Sequence, residues 1–204
     1  MRLGVISDIH AQVDRLKETL RLLKDCDLIL CAGDINDQSR FDGQTVELLF
    51  DRGVLAIKGN NDFAACRNPL IQKRFAGKPE ESWLESLAAL PEHRVLTIDG
   101  ARIGLFHGSP WDEPGRDYFH YVFPEMSRDI DRVADAGFNL VILGHTHRPM
   151  RVQRNGTLII NPGSCGCGNP PSFAVIDLAS REVEFRSLQT EVPGAPAPSI
   201  SFST

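Results

Sequence analysis

Seven side chains able to bind a divalent cation stand directly behind short apolar runs. Asp8 and His10 follow residues 3–6, Asp34 follows 28–31, Asn60 follows 54–57, His107 follows 102–106, and His145 and His147 follow 140–143. The set holds two carboxylates, one amide and four of the chain's six histidines. Carboxylate oxygen, amide oxygen and imidazole nitrogen together suit Mn²⁺, Fe, Co, Ni or Zn. So many imidazoles disfavour Mg²⁺, which prefers oxygen and keeps its waters. Seven donors are too many for one tetrahedral ion and suit two ions that share a bridging carboxylate. The spacing is regular: 26 residues from Asp8 to Asp34, and 26 more to Asn60.

These donors need a scaffold that carries them to one edge. The runs at 3–6, 28–31 and 54–57 are too short for helices and read as buried strands. Val13, Leu16, Leu20 and Leu23 recur at helical spacing, and Val46, Leu49 and Phe50 mark a second helix with Gly53 as its stop. The resulting βαβαβ pattern implies parallel strands joined by right-handed crossovers. Their C-terminal ends then share one edge, where open α/β sheets bind ligands. Residues 64–80, with Pro69, Gly77 and Pro79, read as a loop or cap segment, and 81–89 as a short helix. Strands at 94–98 and 102–106 are joined by Asp99-Gly100, a tight-hairpin signal. Residues 108–124, with three prolines and several aromatics, read as a long functional loop. Pro124 opens a helix over 125–136, and 140–143 is another buried strand. Short strands around Val152 and at 158–160, 173–176 and 183–185 make the last third β-rich. Residues 1–190 are expected to form a single domain, and 191–204, with its Pro-Gly-Ala-Pro run, a mobile tail.

Asp8-x-His10, Gly33-Asp34, Gly59-Asn60-x-Asp62, His107-Gly108 and Gly144-His145-x-His147 resemble, in order, the five motif blocks of the calcineurin-like metallophosphoesterases. The resemblance covers about residues 1–190 and looks closest to the small bacterial and archaeal phosphodiesterases of that superfamily. It implies an α/β fold: a four-layer α/β/β/α sandwich, two mixed β-sheets flanked by helices, with the metal site at strand C-terminal ends. It also implies a role for each donor. Asp8, His10 and His147 would bind a first metal, and Asn60, His107 and His145 a second, with Asp34 bridging them. The cofactors would be two divalent transition-metal ions, manganese foremost, with Fe, Ni, Co or Zn as alternatives. Asn161-Pro162-Gly163-Ser164 resembles a recurrent turn beside the site.

The implied reaction is phosphoester hydrolysis. Two ions ~3.5–4 Å apart would clamp the phosphate and lower the pKa of a bridging water to roughly 7, giving a hydroxide for in-line attack. Arg148 is a candidate cation for the equatorial oxygens. Many relatives carry His between the Asn and Asp of the third block, placed to assist the leaving group. Here that residue is Asn61, whose amide donates a hydrogen bond but supplies no proton. This favours phosphodiesters over demanding monoesters. It also points away from a protein Ser/Thr phosphatase or a dinucleoside-polyphosphate hydrolase, which share the blocks. His120 is the candidate acid in its place. Asp62 either orients Asn60 or caps a turn. A reading of another class is a catalytically silent protein-binding scaffold with the same fold. The complete ligand set argues against it.

Other features read more plainly. Cys165-Gly166-Cys167 lacks redox spacing and reads as small residues in a Gly-rich loop, with Cys26 and Cys31 as core or strand-end residues. His93 reads as a surface residue. Trp111, Tyr118, Phe119, Tyr121 and Phe123 read as packing beneath the long loop rather than as a pocket wall. A net charge of −5 gives no basic surplus for nucleic acid. No apolar run approaches the ~20 residues of a membrane span, and the first residues do not resemble a secretory signal. A cytoplasmic protein acting on a small phosphate ester is expected, without a membrane or nucleic-acid partner, and a homo-oligomer is allowed.

Overall fold

The computed structural model describes residues 1–116 and 118–188. In chain order these form β1 (Arg2–Ile6), α1 (Val13–Leu22), β2 (Leu28–Cys31), α2 (Gly43–Asp51), β3 (Leu55–Ala56), α3 (Asn60–Arg67), α4 (Pro69–Phe75), α5 (Glu81–Ala89), β4 (His93–Ile98), β5 (Ala101–Phe106), α6 (Ser127–Ala134), β6 (Leu140–Ile142), β7 (Pro149–Arg154), β8 (Thr157–Pro162), β9 (Ser172–Asp177) and β10 (Glu182–Ser187). The tail expected over 191–204 lies outside the described residues, as do 189 and 190.

The strands make two five-stranded mixed sheets, in the orders β10-β9-β1-β2-β3 and β4-β5-β6-β8-β7. β1, β2 and β3 run parallel, and so do β5, β6 and β8. Central strands covered on both faces need continuous apolar runs rather than alternation. Successive side chains therefore enter different layers. On β1, Leu3 and Val5 enter the space between the sheets, where Leu30, Ile103, Leu105, Leu140, Ile142, Leu158 and Ile160 also pack. Ile6 faces the other way, into a layer with Leu16 and Leu20 of α1, Val46 and Leu49 of α2, and Leu84 and Leu87 of α5. Val141 and Ile159 leave the second sheet on its outer side and meet Ile130 and Val133 of α6. The result is the α/β/β/α sandwich that the sequence implies.

Two hairpins form where the sequence signals them or their like. Asp99-Gly100 and Asn155-Gly156 both take left-handed φ values, 49° and 78° in the first pair and 48° and 83° in the second. That is the backbone of a tight two-residue turn.

Two expectations need correction. The segment 64–80 is largely helical rather than a loop. Its prolines and polar residues start helices instead of breaking them: the Asn68 side chain accepts from the Leu70 N–H at 3.0 Å, and Pro69 sits where its missing N–H costs nothing. Phe63, Ile71 and Phe75 supply the buried face. The helix expected over 125–136 is shorter, because Pro124 and Glu125 lie in a turn and Met126 precedes the first helical residue. Among the described residues no helix is long and apolar enough to cross a membrane.

Candidate metal centre

Parallel strands in each sheet deliver the donors to one edge. Asp8 follows β1, Asp34 follows β2, Asn60 follows β3, His107 follows β5, and His145 follows β6. All seven residues expected as ligands meet there. Asp8, His10 and His147 form one group and Asp34, His107 and His145 another; within each group the ligand atoms lie within 4.8 Å of one another. Asn60 joins the second group, its Oδ1 3.1 Å from His107 Nε2.

Asp34 stands between the groups. Its Oδ2 lies 3.4 Å from His107 Nε2 and 3.9 Å from His10 Nε2. In the first group, His147 Nε2 is 3.0 Å from His10 Nε2 and 3.2 Å from Asp8 Oδ1. Asp8 is fully buried, and the His147 ring is the one possible donor beside its Oδ1 among the described residues. Buried carboxylate oxygens and imidazole nitrogens facing one another leave lone pairs that only protons or cations can satisfy. The donor set therefore fits two divalent ions of the imidazole-accepting kind.

Charge among the donor side chains obeys the same logic. His107 is buried; burial opposes its charged form, but the Asp34 carboxylate outweighs this and pushes its pKa up to about 10. Its Nδ1 faces the Ala32 carbonyl at 2.6 Å, so both ring nitrogens have acceptors. Burial likewise works against the Asp34 anion, yet His107 and the Asn61 amide hold its pKa below the ordinary carboxylate range. His145 is pushed down to about 4 by burial and by the charge on His107. A hydrogen bond with Asp8 raises His147.

The backbone is bent hard to aim these groups. Asp8, His10, Asp34, His145 and His147 all have left-handed φ, between 49° and 68°. For residues with a Cβ such conformations cost of order 1–3 kcal/mol each and cluster at functional sites. Close approach is needed too: a Cβ on Gly59 would sit 2.6 Å from the Asp34 nitrogen.

Polar side chains outside the donor set hold it in place. Asn61 donates from its backbone N–H to Asp34 Oδ1 at 2.8 Å and from its amide to Oδ2 at 2.6 Å. Asp62 is fully buried and accepts from the N–H groups of Gly59 (2.9 Å), Ile35 (3.1 Å) and Asn36 (2.8 Å). It thus caps α3, which begins at Asn60, and ties the loop behind Asp34 to it. Asn161 donates to the Gly144 carbonyl and to Thr146 Oγ1, and the Ser164 hydroxyl donates to the Asp8 carbonyl at 2.7 Å. The 161–164 turn therefore fastens two ligand loops.

His120 and Arg148 each have a carboxylate partner. The His120 imidazole meets Asp112 Oδ1 at 2.5 Å and lies against Trp111 and Tyr118. Arg148 is exposed, pairs with Glu125 at 3.0 Å and covers the Phe123 ring. Cys165 is buried, and burial pushes its thiol up to about 12, so it stays protonated and inert at neutral pH. His93 is exposed, as expected, and stacks on Phe106. The aromatics divide: Phe119 is buried against His107, but Tyr118 and Tyr121 are exposed, which corrects the reading of the whole group as packing. Tyr121 lies flat on His145 with ring centroids 3.9 Å apart. Nothing in the sequence beyond its place in a loop behind His107 signals that contact.

Residues 1–181 match the calcineurin-like phosphoesterase superfamily domain. A probable metallophosphoesterase of Methanothermobacter thermautotrophicus is 26% identical over 95% of this chain and 95% of its own. A phosphodiesterase of Methanocaldococcus jannaschii is 24% identical over 89% of this chain and 96% of its own. The crystal structure of a metallophosphoesterase from Sphaerobacter thermophilus superposes with a TM-score of 0.71 at 25% identity, covering 93% of this chain and 89% of that one.

Proposed function

Because this chain belongs to the calcineurin-like phosphoesterase superfamily, we propose that it hydrolyses phosphodiesters with a pair of divalent transition-metal ions, manganese foremost. The observation that carries the reading is Asp34, a buried carboxylate between two complete donor groups. Asp8, His10 and His147 would hold one ion, Asn60, His107 and His145 the other, and Asp34 would reach both. When bound, such ions neutralise phosphate charge and make water between them acidic enough to ionise near neutral pH.

The chain's own residues prepare that chemistry. Asn61 locks both Asp34 oxygens in one orientation. Asp62 fixes the start of α3 and with it the Asn60 amide. The Asn61 amide is held on Asp34 and supplies no proton, so the candidate acid is His120, whose Nδ1 is oriented by Asp112. With no histidine at position 61, proton delivery falls to His120 or to water, which favours esters with good leaving groups. This supports a diesterase over a protein Ser/Thr phosphatase or a dinucleoside-polyphosphate hydrolase.

The test is metal analysis of the purified protein, with turnover of bis(p-nitrophenyl) phosphate and p-nitrophenyl phosphate in added Mn²⁺. Two ions per chain, faster diester turnover, and its loss in Asn60→Ala and His145→Ala are expected. No bound metal and no turnover with Mn²⁺, Ni²⁺, Co²⁺ or Zn²⁺ would remove the proposal and leave the silent scaffold.

A further inference from the structure

The loop between β5 and α6 carries rings that the core does not use. Phe119 is 6% exposed and packs on Phe63 and His107. Trp111 lies beneath the Arg132 guanidinium of α6. Tyr121 is different: it is 49% exposed, and its ring lies 3.9 Å from that of His145 with 22° between their planes. Phe123 runs parallel to Tyr121, 3° between planes and 6.0 Å between centroids. The Arg148 guanidinium follows, 5.2 Å from the Phe123 ring. Tyr121 and Phe123 thus set parallel rings beside an imidazole of the metal centre, with Tyr121 half exposed. A tyrosine left half exposed forgoes much of the burial that normally offsets its ordering. Aromatic faces beside a phosphate site are how proteins hold bases without reading their edges.

We infer that Tyr121, flanked by Phe123, is a stacking shelf for a planar group carried by the ester, so that the substrates are small phosphodiesters of nucleosides or aryl alcohols. This deepens the diesterase reading and rests on it. Electrostatics favour a small ester over a polynucleotide. The net charge is −5, and Arg148, the cation over the Phe123 ring, is already paired with Glu125.

Binding to the metal-loaded protein tests the shelf without turnover. Calorimetry compares adenosine 5′-monophosphate, phenyl phosphate and ribose 5-phosphate. The nucleotide should bind about 5- to 150-fold tighter than the sugar phosphate, the range expected for one stacked base. Tyr121→Leu, which keeps an apolar cover on His145 but removes the flat face, should bring the two to parity, and Tyr121→Phe should keep the gap. A gain shared by phenyl phosphate assigns the shelf to any flat group, and a gain for the nucleotide alone assigns it to nucleosides. Equal affinities in the unaltered protein, or none for all three ligands, overturn the shelf. Equal weakening of all three by Tyr121→Leu does so too, because the ring would then only buttress His145. Kinetics separate the two levels of the argument. Thymidine 5′-p-nitrophenyl phosphate and methyl p-nitrophenyl phosphate share a leaving group. Tyr121→Leu should raise KM for the first by the same factor. It should leave the second unchanged where the binding gain belongs to the nucleotide alone, but raise it too where phenyl phosphate shares the gain, because its p-nitrophenyl group is flat. No turnover of either diester by the unaltered protein would sink the diesterase reading, while the binding comparison still decides the shelf.

Discussion

Replacing Asp62 with alanine should lower thermal stability and empty the metal centre together. The carboxylate is fully buried and receives three backbone N–H groups, from Gly59, Ile35 and Asn36. A buried donor left without a partner costs about 1–3 kcal/mol. Three of them sum to at least about 3 kcal/mol, before any cavity is counted. In a chain of this length each kcal/mol moves Tm by about 2–4 °C, so Tm should fall by at least about 6 °C. Asp62→Asn is the informative companion. Its oxygen can keep Gly59 and Ile35, but its NH₂ then faces the Asn36 N–H, donor against donor. That loses one bond rather than three, about 1–3 kcal/mol. Burial and the nearby Asp34 charge push the Asp62 carboxyl up to about 7, while its three N–H partners favour the anion. A protonated carboxyl is nearly isosteric with the amide, so a stability of Asp62→Asn equal to the parent at pH 8 would show that the three N–H partners do not hold an anion. The assay is thermal unfolding with and without a chelator, paired with a metal titration. An Asp62→Ala protein within about 2 °C of the parent refutes the bond count. A less stable variant with unchanged metal content refutes the link from Asp62 through α3 to Asn60.

Further outcomes follow from other contacts. Asn61→Ala removes the side-chain amide from Asp34 Oδ2 while the backbone N–H stays on Oδ1, and should weaken metal affinity about 10–100-fold with little change in Tm of the metal-free protein, read by titration and calorimetry. Gly59→Ala places a methyl 2.6 Å from the Asp34 nitrogen and should abolish metal uptake even if the chain folds, read by metal analysis. Removing metal from protein held at about 100 times its Kd should cost about 2.7 kcal/mol and lower Tm by about 5–11 °C, and an unchanged Tm would mean that no ion binds the folded state. Metal uptake should also expel protons. His107 is protonated in the metal-free centre up to about pH 10, and a ligand nitrogen must lose its proton to bind. Apparent affinity should therefore rise with pH below that value, and the calorimetric heat should depend on the buffer.

The donors were legible because each follows a short apolar run. Leu28–Cys31 reads as a strand from length alone, and parallel pairing then requires that Asp8, Asp34 and Asn60 share an edge. What escaped was set by local chemistry with no apolar signature. Asn68-Pro69 looks like a break until its side chain is seen to cap α4. Asn61 looks like a lost histidine until both its N–H groups are seen on Asp34. His120 is well typed for an acid, but a residue type in an irregular loop names no partner, and Asp112 beside its Nδ1 is seen only in the structure. Tyr121 fails in the opposite sense: its type suggests packing, and only its exposure shows otherwise.

The left-handed backbone at Asp8, His10, Asp34, His145 and His147 sets stability against chemistry in a way that bears on how this chain can be improved or lost. At each of these positions glycine would relieve the strain. A search for heat-resistant variants, run without regard to turnover, should therefore collect substitutions at the ligands themselves. Lineages released from catalysis would have the same incentive. The first mutations they keep should erase donors at the bent positions, while Asn60 and His107, which are not left-handed, should persist as relics.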